Sequence, residues 1–122
     1  MSGLEESLCQ VLAADGVRGV ALIDIATGMI VCSAGDEGAD LPAAAVSLAD
    51  EVRTARAVLG PGRPGGHLEE ISVVTERRVD VSKVLDFPLG EGMLLYVDLD
   101  RTRANIGLAS LRIGRLAPAV LA

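Results

Sequence analysis

The spacing of apolar residues changes several times along this chain, and each change marks an element. Leu4, Leu8, Val11 and Leu12 recur at helical spacing, which predicts an opening helix with one apolar stripe, closed at Asp15-Gly16. Ser2 followed by Glu5 fits a capping box at its start. Val17–Ile25 is apolar on both parities, with Val20 and Leu22 on one and Ala21, Ile23 and Ile25 on the other. That pattern predicts a central strand covered on both faces. Thr27-Gly28 supplies a turn, Met29–Cys32 returns as the partner strand, and Gly35-Asp36-Glu37-Gly38 breaks the pattern.

A second helix is predicted from Asp40, its cap, through Pro42 in the first turn to about Leu59. Leu48, Val52, Ala55 and Leu59 line one face, and Asp50, Glu51, Arg53 and Arg56 fill much of the rest. Its many alanines make it slim. Gly60–Gly66 reads as a connector and not as a phosphate-binding loop, because a helix precedes it, a strand follows it and it holds no lysine. Glu70–Glu76 and Val79–Phe87 form a second hairpin across Arg77-Arg78. In its later strand Val79, Val81, Leu85 and Phe87 share one face, and Asp80, Ser82 and Asp86 share the other. After a turn at Pro88–Gly92, Met93–Leu99 is again apolar on both parities and belongs at the sheet centre. Asp100 or Thr102 caps the last helix, whose seam is Ile106, Ala109, Ile113 and Leu116, and Pro118 ends the pattern. The expected order is α-β-β-α-β-β-β-α: an α+β chain with five strands, sandwiched between helices.

Composition sharpens this picture. The 122 residues suffice for one domain with a real core, taken as 1–122, and are too few for two. Half are hydrophobic, yet there is one Phe, one Tyr and no Trp, so Ala, Val, Leu and Ile must build the core. A formal charge of -6, with no basic block, argues against a nucleic-acid partner. No apolar run has the length of a membrane span, and Glu5 and Glu6 stand where a leader carries basic residues. A cytoplasmic location without membrane insertion is expected. Cys9 and Cys32 are not spaced as a metal or redox pair and read as two small buried hydrophobes.

Candidate chemistry is sparse. His67 is the one histidine and has no nucleophile, oxyanion donors or metal-ligand partners at a useful spacing. Ser72 and Ser82 lie in ordinary strand patterns, with no nucleophile elbow. Asp24 and Asp98 fall near strand ends, where carboxylates usually meet solvent or a turn amide. Arg77-Arg78 and Arg101/Arg103 read as solvated, with a contact to another protein as their functional alternative. No catalytic, cofactor-binding or metal site is expected.

The opening hairpin with its Asp-x-x-x-Gly turn (Asp24 to Gly28), the alanine-rich second helix, and Leu94–Asp98 leading into Asn105-Ile106-Gly107 together resemble the roadblock (dynein light chain) domain family. The resemblance covers nearly the whole chain and implies a five-stranded antiparallel sheet with one helix on one face and two on the other. It also implies a non-enzymatic homodimer joined through the third strand and second helix. For this chain that interface comprises Leu48, Val52, Ala55, Leu59, Ser72, Val73, Val74 and Thr75. The implied partner is a small Ras-like GTPase, with a sensor kinase complex as a further one, and Asp50, Glu51, Arg53 and Arg56 are the partner-facing candidates. Two alternatives stand beside this: a dimeric scaffold without effect on GTP turnover, and a small-ligand sensor.

Overall fold

The computed structural model describes residues 2–35, 41–59, 67–85, 92–103 and 105–120. The Asp40 cap, the Gly60–Gly66 connector, Asp86, Phe87 and most of the Pro88–Gly92 turn lie outside them, as do the side chains of Ser2, Ile106 and Leu116. The elements are α1 (Ser2–Leu12), β1 (Val17–Asp24), β2 (Ile30–Gly35), α2 (Leu41–Leu59), β3 (Glu70–Val74), β4 (Arg78–Leu85), β5 (Met93–Asp100) and α3 (Ile106–Val120). This is the expected α-β-β-α-β-β-β-α order.

The five strands form one antiparallel sheet in the order β2-β1-β5-β4-β3. The two strands that are apolar on both parities, β1 and β5, are interior, as their pattern requires. Register sorts the side chains into two cores. Val20, Leu22, Val79, Val81, Leu95, Val97 and Leu99 meet α1 and α3 through Leu8, Val11, Ala109 and Ile113. On the opposite face Ala21, Ile23, Ile25, Val84, Leu94 and Tyr96 meet α2 through Ala45, Leu48 and Val52. One helix covers one face and two cover the other.

Several expectations are corrected in detail. Strand β2 runs on to Gly35, whose φ of 89° ends it in a conformation that favours glycine. Helix α3 starts later than expected, with Asn105 Oδ1 accepting the Leu108 N–H at 3.1 Å as the cap. Asp100 instead closes the preceding turn, accepting from the Thr102 hydroxyl at 2.7 Å and its amide at 2.9 Å. Those bonds, the hydroxyl's first, hold its pKa below the usual carboxylate value. Pro118 does not stop α3, which reaches Val120. A proline in the last turn gives up one backbone hydrogen bond, a smaller loss than in mid-helix. Cys9 is exposed, because position 9 lies off the Leu4, Leu8, Val11, Leu12 stripe. Cys32 is half-buried, and both thiols are free.

Candidate protein-interaction surface

The sheet ends on one side in β3, which pairs with β4 from Glu70–Lys83 to Val74–Val79 and has no strand on its other side among the described residues. Ile71 packs against the α2-side core, while Ser72, Val73, Val74 and Thr75 are exposed. Val73 and Val74 point to opposite faces and keep 40% and 57% of their surface in water. Branched apolar residues on an open edge are favourable for pairing and unfavourable for solubility. Thr75 has a second task. Its amide donates to the Arg78 carbonyl at 2.9 Å, and its Oγ1 accepts the Arg78 amide at 3.2 Å. Arg101 donates to the Thr75 carbonyl at 2.9 Å. These bonds close the β3–β4 turn without the glycine that tight hairpins usually need.

Helix α2 divides the remaining interface candidates. Leu48 and Val52 lie in the chain's own core under the sheet, which corrects their reading as surface for a second chain. They form the seam that attaches α2 to the sheet. Ala55 and Leu59 are half-buried. The apolar residues that α2 turns outward are Val46 and Val58, at 49% and 78% exposure, and the sequence pattern did not single them out.

The four charged candidates on α2 also separate. Asp50 and Glu51 are exposed, and Arg53 and Arg56 are half-buried. Arg53 forms an ion pair with Asp50 and donates to the Ile25 carbonyl and, at 3.1 Å, to that of Ala26. Its guanidinium therefore clamps the β1–β2 turn. That turn sits hard against α2, since a Cβ on Gly28 (φ 74°) would lie 3.0 Å from the Val46 Cα. Within the turn, Asp24 accepts from the Thr27 hydroxyl at 2.7 Å, and its carbonyl accepts the Gly28 amide at 2.8 Å. Asp24 thus meets the turn, as its position suggested.

Asp98 and Arg78 do not follow expectation. Asp98 is buried, and Arg78 grips both carboxylate oxygens, Nε to Oδ1 at 3.1 Å and Nη2 to Oδ2 at 2.6 Å. This hydrogen bonding keeps the guanidinium in its charged form and moves its pKa upward. Asp80 stands directly opposite Asp98 across the β4–β5 ladder, and Ser82 stands opposite Tyr96. The four side chains make a polar square on the α2 face, reaching to Val73, the cross-strand partner of Asp80. Burial, then the neighbouring Asp98 carboxylate, pushes the Asp80 carboxyl up to about 6. Burial and the two carboxylates likewise raise the Tyr96 hydroxyl. Asp80 Oδ1 and Ser82 Oγ are buried without a hydrogen-bond partner. The sequence carried half of this signal in the Asp80, Ser82 alternation; the other half needed the register of β5.

The cluster joins an acid pair, an arginine, a tyrosine and the Ser82 hydroxyl, and among the described residues no base is hydrogen-bonded to that hydroxyl. The distinctive surface of the described residues is instead the β3 edge with its exposed valines. No protein-family model matches the chain, and no curated protein matches it either. Among solved structures, the fold is that of roadblock-type domains. A Roadblock/LC7 domain from Streptomyces avermitilis superimposes with a TM-score of 0.67 at 12% identity, over 96% of this chain and 97% of that one. Nearer in shape are MglB proteins. The gliding protein MglB of Thermus thermophilus gives 0.80 at 22% identity over 98% and 86% of the two chains. An MglB with tetrameric arrangement gives 0.79 at 24% identity over 96% and 84%.

Proposed function

We propose that this chain is a dimeric regulator that binds a small Ras-like GTPase and modulates its nucleotide cycle, and that it dimerises through β3 and the adjoining face of α2. The observation that carries the reading is the open β3 edge. Val73 and Val74 expose apolar surface on both faces of a strand whose outer edge has no neighbour among the described residues, which a second copy related by a two-fold axis would cover. The roadblock fold supports the class, and the tetrameric arrangement of one MglB of similar fold supports self-association. The sensor kinase complex implied by the sequence resemblance remains part of the proposal only as a larger assembly around that GTPase.

The mode of action follows from α2. Arg53 is engaged with the β1–β2 turn and with Asp50, which argues against an arginine-finger role for it and leaves half-buried Arg56 as the other α2 arginine. Regulation then works by holding the GTPase's own catalytic groups and switch segments in place, since phosphoryl transfer depends chiefly on positioning and electrostatics. Exposed Glu51 and Val58 offer contacts for this on α2. GTP hydrolysis by the small Ras-like GTPases of the same genome, measured with and without this protein, is the test. A changed hydrolysis or exchange rate supports regulation, binding without a rate change selects the scaffold reading, and absence of binding refutes both.

A further inference from the structure

Helix α3 carries a second stripe that its own fold does not use. Ala109 and Ile113 turn inward to the core shared with α1. Leu108, Leu111, Arg112 and Arg115 follow one another at i, i+3, i+4 and i+7, so they lie together along one outer side of the helix. Leu108 and Leu111 are 52% and 62% exposed. Arg112 and Arg115 make no ion pair among the described residues. Between this stripe and the end of α1 runs a groove of ≈ 240 Å³, lined by Gln10, Ala13, Ala14, Arg112 and Arg115. A smaller hollow of ≈ 110 Å³ continues it past Leu108 to Arg103 and Asn105, with Asp15 the one acid on its rim.

Charge decides what such a groove takes. The chain carries a net -6, yet this face gathers three arginines, and the first turn of α3 holds no acid to offset its positive end. Exposed leucines flanked by arginines complement an amphipathic segment that carries its own leucines and acids. From these observations the geometry points to the α1–α3 groove as a docking site for an acidic amphipathic helix of a partner protein. The face lies across the sheet from α2, so it stays open when α2 and β3 are occupied. An anionic bilayer fits less well. It is flat where this face is grooved, it would repel the acidic remainder of the chain, and two leucines without aromatic neighbours bury little surface in lipid.

The test titrates the isotope-labelled full chain with a synthetic helical peptide bearing leucines at i, i+3 and i+7 and glutamates between them. A twin peptide with glutamine at each glutamate serves for comparison. The expected result is chemical-shift change along α3 and the end of α1, with affinity at least about tenfold weaker for the glutamine twin and at raised salt. R112E/R115E should weaken binding to a similar degree, as should Leu111→Asp, a position exposed enough to keep the fold. Arg77→Glu, exposed in the β3–β4 turn, should leave it unchanged. Shifts that avoid α3, or binding indifferent to both α3 variants, overturn the proposal. So does tighter binding to phosphatidylserine vesicles than to the peptide. None of these results depends on GTPase binding, so the two proposals fail separately.

Discussion

At its β2 edge the sheet is sheltered, and at its β3 edge it is open. Strand β2 lies beside α1, close enough that a Cβ on Gly35 would meet the Leu12 side chain at 2.6 Å. The turn leading into β2 is pinned beneath α2 by Gly28 and by the Arg53 clamp. Four of its six residues are half-buried. Strand β3, like β2, has one partner strand among the described residues, but four of its five residues are exposed, and the sheet beside it on the α2 face turns polar at Asp80, Ser82, Tyr96 and Asp98. The difference teaches how one small sheet holds both a fixed end and an end available for association. Shelter at β2 comes from the chain's own helices. At β3 the chain exposes Val73 and Val74 beside the Arg78–Asp98 pair, the surface proposed above to receive a second copy.

The largest effect is expected from breaking the charge network behind β3. Arg78→Met removes both donors from buried Asp98, and an uncompensated buried carboxylate costs about 3 kcal/mol. Denaturant unfolding at neutral pH should show that loss, and adding Asp98→Asn in the same chain should recover most of it. Failure of the second change to rescue the first would mean that Arg78 matters through packing and not through charge.

At the sheltered end, Gly28→Ala asks how rigid the turn is. Alanine at φ 74° is strained, and its Cβ would press on the α2 backbone at Val46. A loss of about 2 kcal/mol is expected. A neutral result would show that α2 moves freely over the turn.

Val73→Asp addresses association first, with a smaller cost to the fold because the new carboxylate faces Asp80 across the β3–β4 ladder. A carboxylate on the open edge has no partner in a paired interface, so the dimer should weaken by at least about tenfold, or about 1.4 kcal/mol. Light scattering should fall from about twice the 12.6 kDa chain mass toward a single chain. A variant that stays dimeric would move the interface away from β3.

Much of this contrast was legible in the residues. The both-parity apolar runs placed β1 and β5 inside the sheet, whereas the third strand entered only as the association element that the family resemblance implies. The α2 seam was legible as an apolar face but not as a buried one, because Leu48 and Val52 have the same spacing whether the sheet or a second chain covers them. Arg53 and Arg78 were illegible for another reason. Their partners, the Ile25 and Ala26 carbonyls and Asp98, are set by cross-element geometry and by strand register, and neither is encoded locally. Val46 and Val58 were overlooked because exposed apolar residues on a helix have no pattern of their own.

The smallest effect is the most specific to the open end. Asp80 ionises at about 6, well above an ordinary aspartate, because burial and Asp98 disfavour its charge. The folded chain therefore binds this proton more tightly than the unfolded chain does. Its contribution to stability is full below the unfolded value, about 4, and is lost as pH rises through about 6. Asp80→Asn keeps the shape and removes the charge, so it should stabilise the fold above pH 6 and make no difference below pH 4. Because the carboxyl is half-buried and screened by water, the gain at pH 7 should be about 1 kcal/mol, a few degrees in Tm. Thermal melts from pH 4 to 8 should slope downward for the native chain across this window and run flatter for the variant. Parallel curves would mean that neither burial nor the facing Asp98 carboxylate raises Asp80 behind β3, and that its charge carries no cost in the folded chain.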